Sequence, residues 1–431
     1  MQNPDQSVSL QFSAETRFIP LVQGVVEHSA KAFELDAAKS LRLTMAAEEI
    51  VSHLVQTARG TEVKVSLSTR RWCVLADFSF EANPSDLWAM NLAAKERVGG
   101  EQSIEHLGLL LASRMVDGFS IRLQGKIVHL ELRQDHAYPT IEAQPGTQGK
   151  LTGALSIAEN PEPALIKEAC TLAVNNYPAY LINQVLFTPG KVVDMVAQGD
   201  LDMAICVDEI GTLAGIMVWR SPSEKSVSFS GPYILTGESE VADLLEQHLL
   251  SIVSRTQAVS LFSDLATPDM TPLNYEHLGR LDFTQADNQD KALDIWFRHL
   301  REDMGAAVWT HPTVRTFLEE TYDRLVLMRT IREVDNAGEG VPDNSVFSAQ
   351  LRPELKEAVL SPMVVGADVS EAVKSHLDCL KQDGYENILF HLDLAYGWQA
   401  SMGGVLCEHG FSPTILLPHG GISDVVVFRH G

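Results

Sequence analysis

The chain has 431 residues, 45% hydrophobic and 21% charged, with a formal net charge of −24. At about 150 residues per domain, that length predicts roughly three domains, each able to bury its own core. The negative field repels nucleic-acid phosphate and anionic lipid, and neither Arg70 with Arg71 nor the arginines of 324–332 form a compensating basic patch, so neither nucleic acid nor membrane is expected as a partner.

The first 133 residues alternate strand and helix signals. SVSLQFSA alternates apolar and polar residues as a half-buried strand does, and 17–35 and 37–59 carry apolar residues at helical spacing. In the second helix Leu43, Ala47, Ile50, Leu54 and Ala58 form one stripe. TEVKVSLSTRRWCVLADFSF reads as two strands and KIVHLELR as a closing one, while 82–102 is a polar connection ending in Gly99-Gly100. AQPGTQGKLTG (143–153) has the composition of a linker, and DFTQADNQDK (282–291) marks a second boundary.

Beyond the linker an order of elements recurs. SFSGPYIL, a helix over 240–255, AVSLFSDLA and LGRLDF return as VLSPMVVG, a helix over 370–382, NILFHLDLA and CEHGF. Phe262 to Phe283 and Phe390 to Phe411 both span 21 residues, which predicts that the two pairs are equivalent in a duplicated domain.

Cys73, Cys170, Cys206, Cys379 and Cys407 lie far apart without a CxxC pair, as buried thiols of a reducing compartment do. MQNPDQSVSL has no basic and apolar leader pattern, and no apolar stretch reaches bilayer length, so a cytoplasmic protein is expected. His376, His391, His409, His419 and His430 have no metal-ligand spacing, and no protein-held metal is expected.

LRLTMAAEEIVSHLV, VLADFSFEANPSDL and EHLGLLLASRMVDGFSI, in that order, resemble the anti-sigma-factor serine kinases of the GHKL ATPase superfamily. The resemblance implies an ATP site with magnesium. Glu49 stands at the general-base position, His53 where the family has a metal-binding Asn, Asp77 at the adenine carboxylate and Gly108 in the phosphate turn. These four are expected to face one cleft. Imidazole is a poor ligand for magnesium, and Ser79 and His106 replace two glycines of the pattern, so the implied ATP site is degenerate or weak. The partner implied is a sigma factor or an anti-sigma antagonist-like protein.

The two later repeats resemble the GNAT acyltransferase superfamily, with EHGFSPTILLP as the best-matching piece. In that family a glycine-containing loop opens a helix whose N–H groups hold the pyrophosphate of acyl-CoA. TGESE places Gly237 there in the first repeat, and VGADVSE places Gly366 and Ala367 there in the second. Leu278 and Leu406 stand where active relatives often carry an acid Tyr.

The expected architecture is therefore α/β (α+β): a GHKL-type α/β sandwich over 1–140, a linker over 141–153, and GNAT-like mixed α/β domains over 154–286 and 287–431. The expected function is a regulatory or signalling protein of the anti-sigma-factor kinase-like class. The alternative is an acetyl-CoA-dependent N-acetyltransferase regulated by the first domain.

Overall fold

The computed structural model describes residues 6–81, 91, 112–124, 126–144, 151–284, 290–335, 340–352 and 355–431. It is a mixed α/β chain. Its contacts define two compact units: Met1–Ala137 with Asn336–Leu351 and Ala358–Ile388, and Tyr138–Asp335 with Arg352–Glu357 and Leu389–Gly431.

In the first unit, β1 (Ser7–Ser13) leads to helices α1 (Ile19–Ala32) and α2 (Ala37–Thr57), then to β2 (Glu62–Thr69), β3 (Cys73–Glu81), β4 (Gly118–Gln124) and β5 (Ile127–Asp135). The sheet order is β1-β2-β3-β5-β4, with every neighbouring pair antiparallel. Helix α2 starts where Asp36 accepts a hydrogen bond from the Lys39 N–H at 2.9 Å, an N-cap that satisfies one of the helix's open donors. Its stripe of Leu43, Ala47, Ile50 and Leu54 packs on Val65, Val74, Ala76, Phe78 and Leu130 in one core. Each fully buried Leu or Phe there contributes about 1.5–3 kcal/mol. Where the sequence predicts one closing strand, a hairpin forms: Phe119 and Ile121 alternate toward the same core. Gly118 opens β4 opposite Arg133, where a Cβ would lie 2.9 Å from Arg133 Cζ.

The chain continues through β6 (Ser156–Ile157), α3 (Pro163–Asn176), α4 (Pro189–Gln198), β7 (Asp202–Val207), β8 (Leu213–Ser223), β9 (Ser226–Ile234), α5 (Ser239–Val253), β10 (Ser260–Ala266), β11 (Glu276–Thr284) and β12 (Asp290–His299). These strands make a seven-stranded sheet of order β11-β12-β10-β9-β8-β7-β6. Helix α5 covers one face through Val241, Leu245 and Leu249, and helices α3 and α4 cover the other through Ile166, Cys170 and Val192.

The remaining elements are β13 (Ala306–Thr310), α6 (Pro312–Arg324), β14 (Arg329–Glu333), β15 (Val346–Arg352), β16 (Glu357–Val364), α7 (Val369–Gln382), β17 (Asn387–Asp393), α8 (Gly397–Ala400), α9 (Met402–Glu408), β18 (Phe411–Leu417) and β19 (Val425–His430). Strands β13 and β14 pair in parallel, and the others form a sheet of order β15-β16-β17-β19-β18.

The seven-stranded sheet and the last five-stranded sheet repeat one pattern. The run β9-α5-β10-β11-β12 lies in its sheet as β9-β10-β12-β11, and β16-α7-β17-β18-β19 lies as β16-β17-β19-β18. In both, the last strand inserts antiparallel between its two predecessors, with Phe262 opposite Phe297 and Phe390 opposite Phe428. The expected match of Phe283 with Phe411 does not hold. Phe283 lies near the end of β11, opposite Lys291, whereas Phe411 opens β18 opposite His430. The first repeat crosses between its strands in 267–275 with a single 3-10 turn, whereas the second inserts α8 and α9 in 394–410. Equal spacing in sequence therefore ends at opposite ends of a strand.

Candidate functional site

Of the residues of the expected nucleotide cleft, Glu49, His53 and Asp77 do not share one face. On α2, Glu49 is half-buried, while His53 is buried at 4% exposure on the apolar side with Ile50 and Leu54. Side chains alternate along a strand, and on β3 Val74, Ala76, Phe78 and Phe80 point into the core beneath α2. Asp77 therefore faces the other side of the sheet, where its Oδ1 lies 3.6 Å from His129 Nδ1. The motif located the carboxylate along the chain but one pleat away from the helix, and the side toward α2 is filled by Phe78 and Phe80. Gly108 lies outside the described residues.

In the first repeat the place to test for acyl-CoA is the wedge between β9 and β10. These strands pair in parallel as far as Gly231 opposite Ala266, and β9 then runs on to Ile234 paired with β8 but no longer with β10. The wedge holds the protein's own side chains. Thr267 Oγ1 donates to Pro232 O, and its N–H donates to Gly231 O at 3.4 Å. The Ile234 N–H donates to the Tyr177 hydroxyl at 2.6 Å, and that hydroxyl donates to Asp269 Oδ2 at 2.6 Å. Burial, reinforced by the Asp269 carboxylate, holds the Tyr177 phenol far above its ordinary range, so it stays protonated. The connection from β9 to α5 is only 235–238, and Gly237 is exposed there with φ +75° and open space where a Cβ would be.

Beneath the crossing 267–275 lies a carboxyl that sequence reasoning missed. Glu246 of α5 is 5% exposed and accepts the Thr271 N–H at 3.1 Å. Burial pushes its pKa up to about 7; Asp243 adds to the rise, and the Thr271 N–H and Arg298 oppose it. The Arg298 guanidinium stands 5.9 Å from the Tyr275 ring centre, and the Tyr275 hydroxyl and Arg298 Nη1 are buried without a hydrogen-bond partner among the described residues. A carboxyl that changes charge near neutrality is suited to take a proton from an amine. The sequence did carry a signal: Glu246 sits four residues after Ala242 and three before Leu249, inside the apolar stripe of its helix.

In the second repeat the equivalent connection, 365–368, is equally short and closed over. The Gly366 N–H donates to Ser345 Oγ at 2.9 Å and the Ala367 N–H to Pro342 O at 2.8 Å, so the two expected acyl-CoA donors are held by residues 342–345. A Cβ on Gly366 would lie 2.5 Å from Asn344 C.

Of the later histidines, His376 is buried with Nδ1 2.7 Å from Ala372 O, and burial pushes His391 down to about 4, the nearby Arg352 charge adding to the fall. Among the described residues no group of three or more His, Cys, Asp or Glu is disposed to hold a metal ion, and no helix is long and apolar enough to cross a membrane. Among the described residues, Cys73, Cys170, Cys206, Cys379 and Cys407 are thiols and form no disulfide.

No known family profile matches the chain, and no curated protein matches it. Among solved structures, aminoglycoside 6'-acetyltransferase type Ii is similar at 15% identity and a TM-score of 0.27, over 35% of this chain and 99% of that one. An N-acetyltransferase from Staphylococcus aureus Mu50 is similar at 11% identity and a TM-score of 0.28, over 34% of this chain and 99% of that one.

Proposed function

We propose that the chain is a cytoplasmic regulatory protein built on two acyltransferase-type repeats, 154–286 and 287–431, behind an α/β domain over 1–140 that turns over no nucleotide. The observation that carries this reading is the filled wedge: Tyr177 and Thr267 already satisfy the backbone groups of Ile234 and Pro232 that a pantetheine chain would need. The Phe78 and Phe80 side chains likewise fill the side of β3 toward α2, where an adenine would lie. Its partner is a protein, of the sigma-factor or anti-sigma antagonist-like kind on the strength of the sequence resemblance alone.

A ligand that binds only the folded state raises the melting temperature, by about 2.7 kcal/mol of added stability at a hundredfold excess over its dissociation constant. Thermal melts of the whole chain with acetyl-CoA, and separately with ATP and magnesium, are expected to superimpose on the melt without ligand. A dose-dependent rise with acetyl-CoA sinks the reading.

A second reading, an acetyl-CoA-dependent N-acetyltransferase acting in the first repeat, is favoured by Glu246 and by the open approach at Gly237. Glu246 would take a proton from the acceptor amine, the amine nitrogen would form its bond to the thioester carbonyl carbon, and the carbon–sulfur bond would break. The coenzyme A thiolate would leave and take up a proton, with Tyr275 as the nearby hydroxyl. Release of free thiol from acetyl-CoA with an amine acceptor, lost in Glu246→Gln, distinguishes this reading from the first.

A further inference from the structure

Asn91 is buried at 6% exposure. Its amide meets β15 with both ends: Nδ2 donates to Ser345 O at 2.7 Å, and Oδ1 accepts the Phe347 N–H at 2.9 Å. A side-chain amide has the same donor and acceptor as a peptide group, so Asn91 pairs with the strand as one residue of a neighbouring strand would. Ser345, held in this way, is also the centre of the contact with α7. Its N–H donates to Asp368 Oδ1 at 2.6 Å, and its Oγ accepts the Gly366 N–H at 2.9 Å. Pro342 O accepts the Ala367 N–H at 2.8 Å. Gly366 is what allows the approach, because any side chain there would strike the backbone of Asn344.

We propose that residues 342–345 form a strap closed over the start of α7, and that Asn91 is the latch that keeps it closed, so that a change at Asn91 opens the helix start within the same compact unit. The two sets of bonds meet at Ser345 itself. The Asn91 amide fixes the carbonyl of Ser345; the hydroxyl and N–H of the same residue fix Gly366 and Asp368. Losing the latch frees Ser345 to rotate, and the strap's bonds to α7 then open with it. This goes beyond the proposed regulatory role, because it names the contact by which an event at Asn91 reaches the start of α7.

The test is amide hydrogen exchange on the full chain, read at Phe347, Gly366 and Ala367, in the native protein and in Asn91→Ala, Asn91→Asp and Ser345→Ala. Asn91→Ala is expected to speed exchange on the order of tenfold or more at all three amides, since each bond reports the free energy of local opening. Asn91→Asp keeps the acceptor for Phe347 but loses the donor to Ser345 O, so it should speed Gly366 and Ala367 while moving Phe347 less. It also serves as the deciding variant if the alanine protein does not fold. Ser345→Ala should speed Gly366 while leaving Phe347 near its native rate. If Asn91→Ala or Asn91→Asp leaves Gly366 and Ala367 at their native rates, the latch and the strap are independent and the proposal fails.

Discussion

Arg329 and Asp424 meet with both side chains fully out of solvent, Nε 2.6 Å from Oδ2 and Nη2 3.1 Å from Oδ1. Asp303 Oδ2 takes the third position, 2.8 Å from Arg329 Nη1, and also lies 2.9 Å from His419 Nε2. Arg329 begins β14, Asp424 precedes β19 and His419 lies in the turn between β18 and β19, so one guanidinium ties the small parallel pair to that hairpin. Replacing both partners of such a pair by apolar groups can be harmless, but removing one leaves an uncompensated buried charge.

Arg329→Met is therefore expected to cost about 3–5 kcal/mol in denaturant unfolding, because Asp424 and Asp303 stay behind without their cation. Asp303 adds a pH signature. Burial works to raise its pKa, but the hydrogen bonds from His419 and Arg329 outweigh burial and hold it below the ordinary 3.8. Its contribution is thus present above about pH 4 and is lost as pH falls below that value. Asp303→Asn should flatten the acid limb of the stability profile; an unchanged limb would mean the carboxylate adds nothing there.

Glu246, buried, and His391, half-buried, pull in opposite directions nearer neutrality. Glu246 has its pKa raised from 4.5 to about 7, so the stability linked to its protonation is complete below pH 4.5 and is lost as pH rises through 7. His391 has its pKa lowered from 6.5 to about 4, so its contribution is complete above pH 6.5 and is lost as pH falls through 4. Each effect is about 3 kcal/mol when complete, and they oppose each other across about pH 4.5–6.5. The native protein should show a nearly flat profile in that window. Glu246→Gln should then become more stable as pH rises from 5 to 6.5, and His391→Gln should become less stable over the same range. Urea midpoints measured at half-unit steps of pH check both slopes, and two variants sloping the same way would contradict the assignment.

In the first unit, the face of the sheet decides which substitutions matter. Phe78→Ala removes a fully buried ring beneath α2 and should cost about 3–5 kcal/mol, whereas Asp77→Ala, on the other face beside His129, should change stability by only about 0.5 kcal/mol. Melting curves of the two proteins give the comparison directly. A large loss from Asp77→Ala would return that residue to the core side of β3.

Much of this fold was legible in the sequence because periodicity reports burial. The stripe from Leu43 to Leu54 and the alternation from Val74 to Phe80 fall on α2 and β3 as the pattern predicts. The same alternation carried the evidence against the nucleotide cleft, since Asp77 stands between Ala76 and Phe78 and must face away from them. Matching a motif by order ignores that pleat. The filling of the wedge and the closing of the α7 start were not legible, because Tyr177 lies 57 residues from Ile234 and Asn91 lies 254 residues from Ser345. Neither contact has a local signature. Glu246 was readable only as a charge inside an apolar stripe, and its proton affinity depends on Thr271 and Asp243 arriving beside it.

Tyr177→Phe tests the filled wedge most directly. The hydroxyl accepts from Ile234 N–H and donates to Asp269, so its removal leaves a buried N–H without that acceptor at the point where β9 has parted from β10. An unsatisfied buried donor costs about 1–3 kcal/mol, and the loss should be the same at pH 6 and pH 9, because the phenol is protonated at both. Burial and Asp269 raise this pKa above the ordinary 10, so its stabilising effect is fully present below pH 10 and is lost only at higher pH. The native protein should therefore weaken above pH 10 by a component that Tyr177→Phe lacks, and its ultraviolet titration should show one tyrosine fewer ionising when the residue is replaced, only after alkaline unfolding. If Tyr177 instead ionises near pH 10 in the folded protein with no cost in stability, its hydroxyl is open to solvent and the wedge is not filled.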